Sequence, residues 1–301
     1  WLATFGVPLS RQIFPDSLLY GLLAAGLFAL LLILGREGLP RLADRAVAWL
    51  GSRRGALTLL VGFGLVWIGY QAWVVARIPY AGHADYSDNA LVARNLAAGR
   101  GWVVDHVSQF YRLYDGLTRP QETWPLLQPV WIAPFFMLFG PTEWAAKIPN
   151  LIFNALLLAL VYAIGARVWD RRVGLTAAVF VLTSYLFFRL TIYVTNDLGF
   201  TLFSVAAISC LYRATEGAAP RRFLVFSGLL TGLMMLQKPS GAMLALGMGL
   251  WQLAACRAQI ADWARRPFAR EALQGLWRAL APIALWSVLA LLVLSPYLVR
   301  N

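Results

Sequence analysis

Charged residues are scarce in this 301-residue sequence: Asp, Glu, Lys and Arg make up 13% of it, against roughly 25% in soluble domains. Such a low charge content excludes an ordinary soluble domain. The only two cysteines, Cys210 and Cys256, both lie in apolar runs, which argues against a disulfide framework. The sequence also lacks a Walker loop, a dinucleotide-binding fingerprint and a supported Ser/His/Asp set, which argues against the commonest nucleotide-binding and serine-hydrolase sites.

Apolar residues are correspondingly abundant, at 60% of the chain, with a mean hydropathy of +0.64. Several apolar runs approach the ~20 residues that a helix needs to cross a bilayer, and a helix satisfies its own backbone groups in lipid. We therefore predict an all-α, polytopic transmembrane helix bundle of about eight spans. These spans are predicted at 17–34, 56–75, 145–166, 173–190, 198–212, 223–236, 240–255 and 279–298.

The chain is predicted to have two parts, 1–54 and 55–301. The first holds an additional N-terminal span and a cytoplasmic loop. The second holds the main transmembrane domain, with a long connection at 77–144. The chain starts at Trp1 and ends at Asn301 directly after an apolar run, so we expect it to be part of a longer protein.

The basic residues are unevenly distributed, and their distribution predicts the topology. Four short loops hold 16 of the 26 basic residues but only 6 of the 14 acidic ones, at 36–54, 167–172, 213–222 and 257–278. By the positive-inside rule these loops face the cytoplasm, and the connection 77–144 lies outside. The net charge of +12 is therefore a topology signal and does not indicate a nucleic-acid partner. The 24 arginines against 2 lysines favour a bacterial plasma membrane.

The outer connection contains a pair of carboxylates, Asp85 and Asp88. They are predicted to open a short helix that runs to about Ala98, and at a spacing of three residues they share one helix face. A carboxylate there can act as a general base towards a hydroxyl, or it can simply cap the helix. The later stretch 124–139 is apolar but interrupted by prolines, which predicts short helices lying at the membrane surface.

Two further charged residues are predicted on the same side of the membrane. Asp197 lies between two predicted spans, where it either faces a site or serves as an N-terminal helix residue, with Arg189 near enough in sequence to neutralise it. Lys238 interrupts an apolar run, where it either binds an anion such as phosphate or extends towards the membrane surface. His83, Asp85, Asp88 and His106 form only a weak metal-binding pattern, so no cofactor is predicted and a divalent metal stays open.

The order of several motifs resembles the GT-C superfamily of polyprenyl-phosphate-dependent glycosyltransferases, especially the protein mannosyltransferase and aminoarabinose transferase branch. The resemblance covers the chain from about Gly62 to its end. An Asp opens the first outer helix, and a run of Pro and apolar residues ends in Leu-Phe-Gly. The matching stretches are Asp85 with 93–96 and 99–101, 124–127 to 138–140, 146–149, 195–197, 232–238 and 296–301.

The resemblance implies transfer of a sugar from a polyprenyl-phosphate lipid to a glycan, lipid or protein acceptor at the outer membrane face, with inversion. It implies that Asp85 is the general base and that Lys238, together with Arg94 or Arg189, holds the donor phosphate. It implies that Asp197 orients groups in the pocket, and we group Asp88 with the binding residues. The expected partners are the donor lipid, membrane lipids, the acceptor and other membrane subunits.

The sequence departs from the family pattern at several positions. Tyr86 follows Asp85 where the family often has Glu, Glu122 to Trp124 stand where many members carry a basic residue, and Gln237 replaces a Thr before the lysine. The span at 17–34 is additional. These departures leave open an alternative function, that of a non-catalytic GT-C-like subunit in a larger membrane complex. A transporter is a weaker alternative, because the ionisable residues lie at the outer ends of spans and not near mid-membrane.

Overall fold

The computed structural model describes residues 24–26, 39–82, 84–106, 116–120, 127–216 and 220–300. This part of the chain is helical except for one pair of short strands. The elements are α1 (Leu39–Gly51), α2 (Arg53–Val75), α3 (Ala84–Ala97), β1 (Val103–Asp105), β2 (Thr118–Pro120), α4 (Leu127–Phe139), α5 (Glu143–Val168), α6 (Arg171–Thr183), α7 (Tyr185–Ile192), α8 (Asp197–Glu216), α9 (Pro220–Gln237), α10 (Gly241–Ala255), α11 (Arg257–Arg265) and α12 (Arg270–Arg300).

The chain divides into two compact units, Trp1–Leu57 and Thr58–Asn301. In the first unit, a tight turn at Ser52 joins α1 to the start of α2. The Ser52 hydroxyl donates to the Trp49 carbonyl (2.6 Å) and accepts from the Gly55 amide (3.0 Å). A Cβ atom at Gly55 would lie 2.1 Å from the Trp49 carbonyl oxygen, so this turn requires glycine.

Four helices of the described residues are long and apolar enough to cross a membrane, and a fifth span arises if α6 and α7 count as one. The four are Arg53–Val75, Glu143–Val168, Asp197–Thr215 and Arg270–Leu298. The pair α6 and α7 is bent by 56°, because Ser184 between them adopts an extended backbone that interrupts the helical hydrogen bonds. These helices confirm the predicted all-α, multi-span membrane protein.

The predicted count of about eight spans is not confirmed. The helix α10 has 15 residues, which is short of the ~20 needed to cross a bilayer. The helix α9 has 18 residues, but Arg221, Arg222 and Gln237 at its ends lower its mean hydropathy. The predicted span 17–34 lies outside the described residues apart from 24–26, which are helical.

The helices of the second unit approach closely where small residues face each other. A Cβ at Gly165 of α5 would lie 2.7 Å from the Gly174 Cα of α6, and a Cβ at Gly232 of α9 would lie 2.5 Å from the Val293 Cβ of α12. Lipid supplies no hydrophobic driving force between helices, so membrane bundles rely on such close van der Waals contact.

The connection between α2 and α5 folds back onto one end of the second unit. The helix α3 begins and ends as predicted to within one residue, and Gly99 and Gly101 follow it with positive φ angles of 72° and 81°. Strands β1 and β2 pair antiparallel after it. The predicted surface stretch 124–139 contains the single helix α4, while 121–126 lie outside the described residues. A buried cluster joins α3, α4, α5 and the turn before α8, through Ala93, Ile132, Phe136, Ala145, Ala146 and Val194.

Candidate functional site

The centre of the candidate site is the turn from Tyr193 to Asp197, which leads from α7 into α8. The Thr195 hydroxyl donates to Asp197 Oδ2 (2.8 Å) and accepts from the Asp197 amide (3.1 Å). The Val194 amide donates to the Ala81 carbonyl of the long connection (2.9 Å). Asp197 is the first residue of α8, where the helix dipole favours a negative charge. The turn therefore presents an oriented carboxylate.

Lys238 lies beside this carboxylate. Its Nζ is 2.5 Å from Asp197 Oδ1, although 41 residues separate the two in sequence. The Lys238 side chain is 42% exposed and that of Asp197 is 31% exposed, so the pair is accessible from outside the bundle. Asp197 uses one of the three N–H donors of the ammonium group, which leaves donors for an anionic ligand.

The helix α3 contacts the same turn along one of its faces. Asn89 Nδ2 donates to Asn196 Oδ1 (2.7 Å), and the Tyr86 ring stacks on the Tyr193 ring at 6.3 Å. Asp85 lies in the first turn of α3, next to Tyr86 and one helical turn before Asn89. Its side chain lies outside the described residues. The backbone therefore brings position 85 to the turn that carries Asp197.

Asp88 pairs with a histidine of the outer connection. His106 Nε2 lies 3.0 Å from Asp88 Oδ1, and the Asp88 side chain is 16% exposed. Within the described ranges no group of three or more His, Cys, Asp or Glu side chains is placed to hold a metal ion. His83, the other histidine of the weak metal-binding pattern, lies outside those ranges.

Arg94 and Arg189, the two expected phosphate-binding arginines, have different surroundings. Arg94 is 3.4 Å from Asp105, which also pairs with Arg100 at 3.3 Å and accepts from the Thr118 hydroxyl at 3.1 Å. Arg189 lies exposed in the last turn of α7. The structure therefore joins Lys238 to Asp197 but gives Arg94 a carboxylate partner of its own.

The charges around Asp105 also affect its titration. Partial burial acts to raise the pKa of the Asp105 carboxyl, but hydrogen bonds from Asn95 and Thr118 and the charges of Arg100 and Arg94 outweigh it. The pKa of Asp105 therefore lies below its ordinary value. This carboxylate joins the end of α3 to the strand pair.

A chain of fully buried amide side chains forms hydrogen bonds to the turn. Gln237 Nε2 donates to Gln128 Oε1 (2.5 Å), and Gln128 Nε2 donates to Asn150 Oδ1 (3.2 Å). Asn150 Nδ2 then donates to the carbonyls of the turn region, those of Tyr193 (2.6 Å), Thr195 (3.1 Å) and Leu190 (3.3 Å). We call Gln128, Asn150 and Gln237 the amide chain. Buried amides are costly unless paired, so these bonds hold the turn in one position.

The amide chain ends beside Lys238, since Gln237 is its neighbour in sequence. Gln237 Nε2 also lies 3.3 Å from the Asn196 carbonyl. A Cβ at Gly199 would lie 2.7 Å from Gln237 Nε2, so the absence of a side chain at Gly199 allows this approach. Sequence reasoning noted Gln237 only as a departure and missed Gln128, Asn150, Asn89 and Asn196. The signal that could have found the amide chain is that Gln128, Asn150 and Gln237 lie within apolar runs of the sequence.

The second lysine has a structural position. Lys147 is fully buried, and its Nζ donates to the Ile78 carbonyl at 2.8 Å. The same ammonium lies 5.9 Å from the centre of the Tyr80 ring. Lys147 therefore fastens the start of the long connection to α5, and Lys238 is the accessible lysine of the two.

A cavity of about 350 Å³ is lined by residues of α3 other than Tyr86 and Asn89, which contact the turn. Its polar lining comes from Tyr80, Ser87, Arg94, Thr142 and Glu143. Ala81, whose carbonyl accepts from the Val194 amide of the turn, also lines this cavity.

Comparison with known proteins supports a family assignment. A family model described as dolichyl-phosphate-mannose-protein mannosyltransferase matches residues 124–299, which is more than half of the chain. The matched region includes Asp197, Lys238 and the whole amide chain, and it begins after Asp85. No curated protein and no solved structure matches the chain. Because the family match covers most of the helix bundle and both members of the ion pair, the chain belongs to the dolichyl-phosphate-mannose-protein mannosyltransferase family of GT-C membrane glycosyltransferases.

Proposed function

We propose that this protein transfers a sugar from a polyprenyl-phosphate donor to an acceptor hydroxyl at the outer face of the membrane. The observation that carries the proposal is the accessible ion pair between Lys238 and Asp197 at the end of the bundle where α3 docks. Both residues fall in the region matched by the family. A lipid-linked phosphate requires a cation at headgroup depth, and Lys238 supplies one.

Lys238 would bind the donor phosphate and stabilise its charge as it leaves. When the bond between the sugar C1 and the phosphate oxygen breaks, its electron pair stays on the phosphate. An ammonium held beside that oxygen stabilises the developing charge most where water is excluded. Asp197 orients the ammonium through the 2.5 Å contact, and Thr195 in turn orients Asp197.

Asp85 would act as the general base. As the acceptor oxygen forms its bond to C1, the hydroxyl proton passes to the Asp85 carboxylate, and polyprenyl phosphate departs. Attack from the side opposite the phosphate inverts the configuration at C1. Two contacts support this role by bringing the α3 backbone to the Asp197 turn, namely Tyr86 with Tyr193 and Asn89 with Asn196.

The charge distribution supports an outer location of the site. The ion pair lies at the end of the bundle where the long connection 77–144 folds back, and the arginine-rich loops 167–172 and 213–222 belong to the other ends of α5 and α8. Basic loops favour the cytoplasmic side, which supports an outward-facing ion pair.

The base role is tested by comparing Asp85→Asn with Asp88→Asn in membranes supplied with a labelled polyprenyl-phosphate sugar. We expect Asp85→Asn to lower transfer by about 10²- to 10⁴-fold, the usual contribution of a general base. Asp88→Asn separates a base role from a binding role, because it removes a carboxylate of the same helix that pairs with His106: a binding role should change the KM, whereas loss of the base should lower kcat. Transfer that survives in Asp85→Asn would rule out the base role.

A further inference from the structure

A second cavity, of about 630 Å³, lies between α5 and α8 at the end of the bundle remote from the ion pair. Arg213 is 16 residues after Asp197 in α8, so it lies about 24 Å further along the helix axis at 1.5 Å per residue. Arg167 occupies the last turn of α5, beside Arg213 in the last turn of α8. The lining consists of Ile164, Arg167, Val205, Ile208, Tyr212 and Arg213, with Val168 and Ser209.

The cavity is therefore an apolar groove with two cations at its mouth. Ile208 is 44% exposed and Val168 is 48% exposed, so the groove opens sideways towards the lipid that surrounds the bundle. Its volume falls within the ~300–1,000 Å³ of ligand pockets. An apolar groove of this kind fits an acyl chain, and the two guanidinium groups fit a phosphate.

The position of Arg213 adds a second observation. Its guanidinium carbon lies 3.8 Å from the centre of the Phe223 ring, so the aromatic ring covers one face of the planar group. The buried Nε of Arg213 has no hydrogen-bond partner, and no described carboxylate lies within ion-pair distance of this side chain. A stacked guanidinium still presents its N–H edge, which matches the geometry of phosphate oxygens.

We propose that this groove binds an anionic phospholipid, with its phosphate against Arg167 and Arg213 and one acyl chain along Val205 and Ile208. Basic pockets between transmembrane helices bind anionic headgroups where the surrounding leaflet offers them. The basic loops place this end of the bundle on the cytoplasmic side, away from the transfer site. The proposal is independent of the transfer reaction.

The test uses detergent-purified protein titrated with palmitoyl-oleoyl phosphatidylglycerol or with phosphatidylcholine of the same chains, with bound lipid counted by native mass spectrometry. We expect one retained phosphatidylglycerol and no retained phosphatidylcholine. Arg213→Gln should weaken phosphatidylglycerol binding by about fivefold, the loss that accompanies one arginine near an anionic headgroup. Arg222→Gln is the matched control, because Arg222 is exposed at the same end but does not line the groove.

Ile208→Trp provides a second variant that keeps both arginines. Ile208 is 44% exposed, so the larger side chain fills the groove without entering the core, and it should also reduce phosphatidylglycerol retention. This variant decides the matter if Arg213→Gln proves unstable. Equal losses in Arg213→Gln and Arg222→Gln, or equal retention of the two lipids, would overturn the proposal in favour of non-specific attraction. Full retention in Ile208→Trp would overturn the position assigned to the acyl chain.

Discussion

The amide chain leads to a quantitative prediction for Asn150→Leu. Leucine has the same number of side-chain heavy atoms, so the change removes hydrogen bonds and leaves the volume nearly unchanged. The two N–H groups of Asn150 are shared among three carbonyls, and its Oδ1 accepts from Gln128, which makes about three full bonds. At about 0.6 kcal/mol for each hydrogen bond between membrane helices, their loss should destabilise the folded protein by about 2 kcal/mol.

Asn154→Leu is the matched control, one turn further along α5. Asn154 is as fully buried as Asn150, but its described hydrogen bond is the single one to Gln71 Oε1, at 2.8 Å. Its loss should cost about 0.6 kcal/mol. At about 2–4 °C per kcal/mol, Asn150→Leu should lower the melting temperature by about 4–8 °C and Asn154→Leu by about 1–2 °C.

Melting can be followed with a thiol-reactive fluorophore, because Cys210 and Cys256 are free and only partly exposed in the folded chain. Transfer activity, corrected for the folded fraction, should fall in Asn150→Leu and not in Asn154→Leu, because only Asn150 contacts the turn that orients Asp197. Equal melting shifts in the two variants, or an unchanged corrected activity in Asn150→Leu, would show that the amide chain does not position the site.

Three further predictions concern the turn, the ion pair and the strand pair. Gly199→Ala should destabilise the protein by about 1–3 kcal/mol, because its Cβ would lie 2.7 Å from Gln237 Nε2, whereas Gly247→Ala, with open space around it, should be tolerated in the same melting assay. Lys238→Gln should raise the KM for the donor about tenfold or more through loss of a charge-assisted hydrogen bond, while Lys238→Arg should retain part of the binding; a KM unchanged in Lys238→Gln would remove Lys238 from the donor site. Because the pKa of Asp105 lies below its ordinary value, the ionised carboxylate stabilises the attachment of the strand pair to α3. This stabilisation should be fully present above the ordinary carboxyl pKa of about 4 and should be lost as the pH falls through the lower folded-state pKa. Limited proteolysis between pH 7 and pH 3 should therefore cut near β1 and β2 only in acid, and Asp105→Asn should be cut at both pH values.

The class of the fold followed from the sequence for identifiable reasons. Long apolar runs leave a helix as the favourable way to cross lipid, so the helices α2, α5, α8 and α12 were predictable. The predicted topology placed Asp197 and Lys238 on the same side of the membrane, but the ion pair between them was not predicted, because Arg189 was named as the residue near enough to neutralise Asp197.

Other features depend on tertiary packing that the sequence pattern does not reveal. The break at Ser184 falls within a continuous apolar run, so periodicity gave no warning of the 56° bend. The partners of Gln128 and Asn150 lie on different helices, and hydrogen bonds over such separations are not visible in local sequence. The ion pair of Arg94 with Asp105, eleven residues later, was likewise not visible in the local sequence, and the role of Arg94 at the donor phosphate stays a prediction.

We propose that this protein transfers sugar from a lipid-linked phosphate with Lys238 at the phosphate. The most direct measurement is the release of polyprenyl phosphate from a radiolabelled polyprenyl-phosphate sugar by purified wild-type protein and by Lys238→Met, with membrane extract as the source of acceptor. We predict release coupled to labelled product in the wild type and a large loss in Lys238→Met. Absence of release by the wild type with every donor tried would contradict the claim and favour the non-catalytic subunit, and equal release by the two proteins would contradict the role of Lys238.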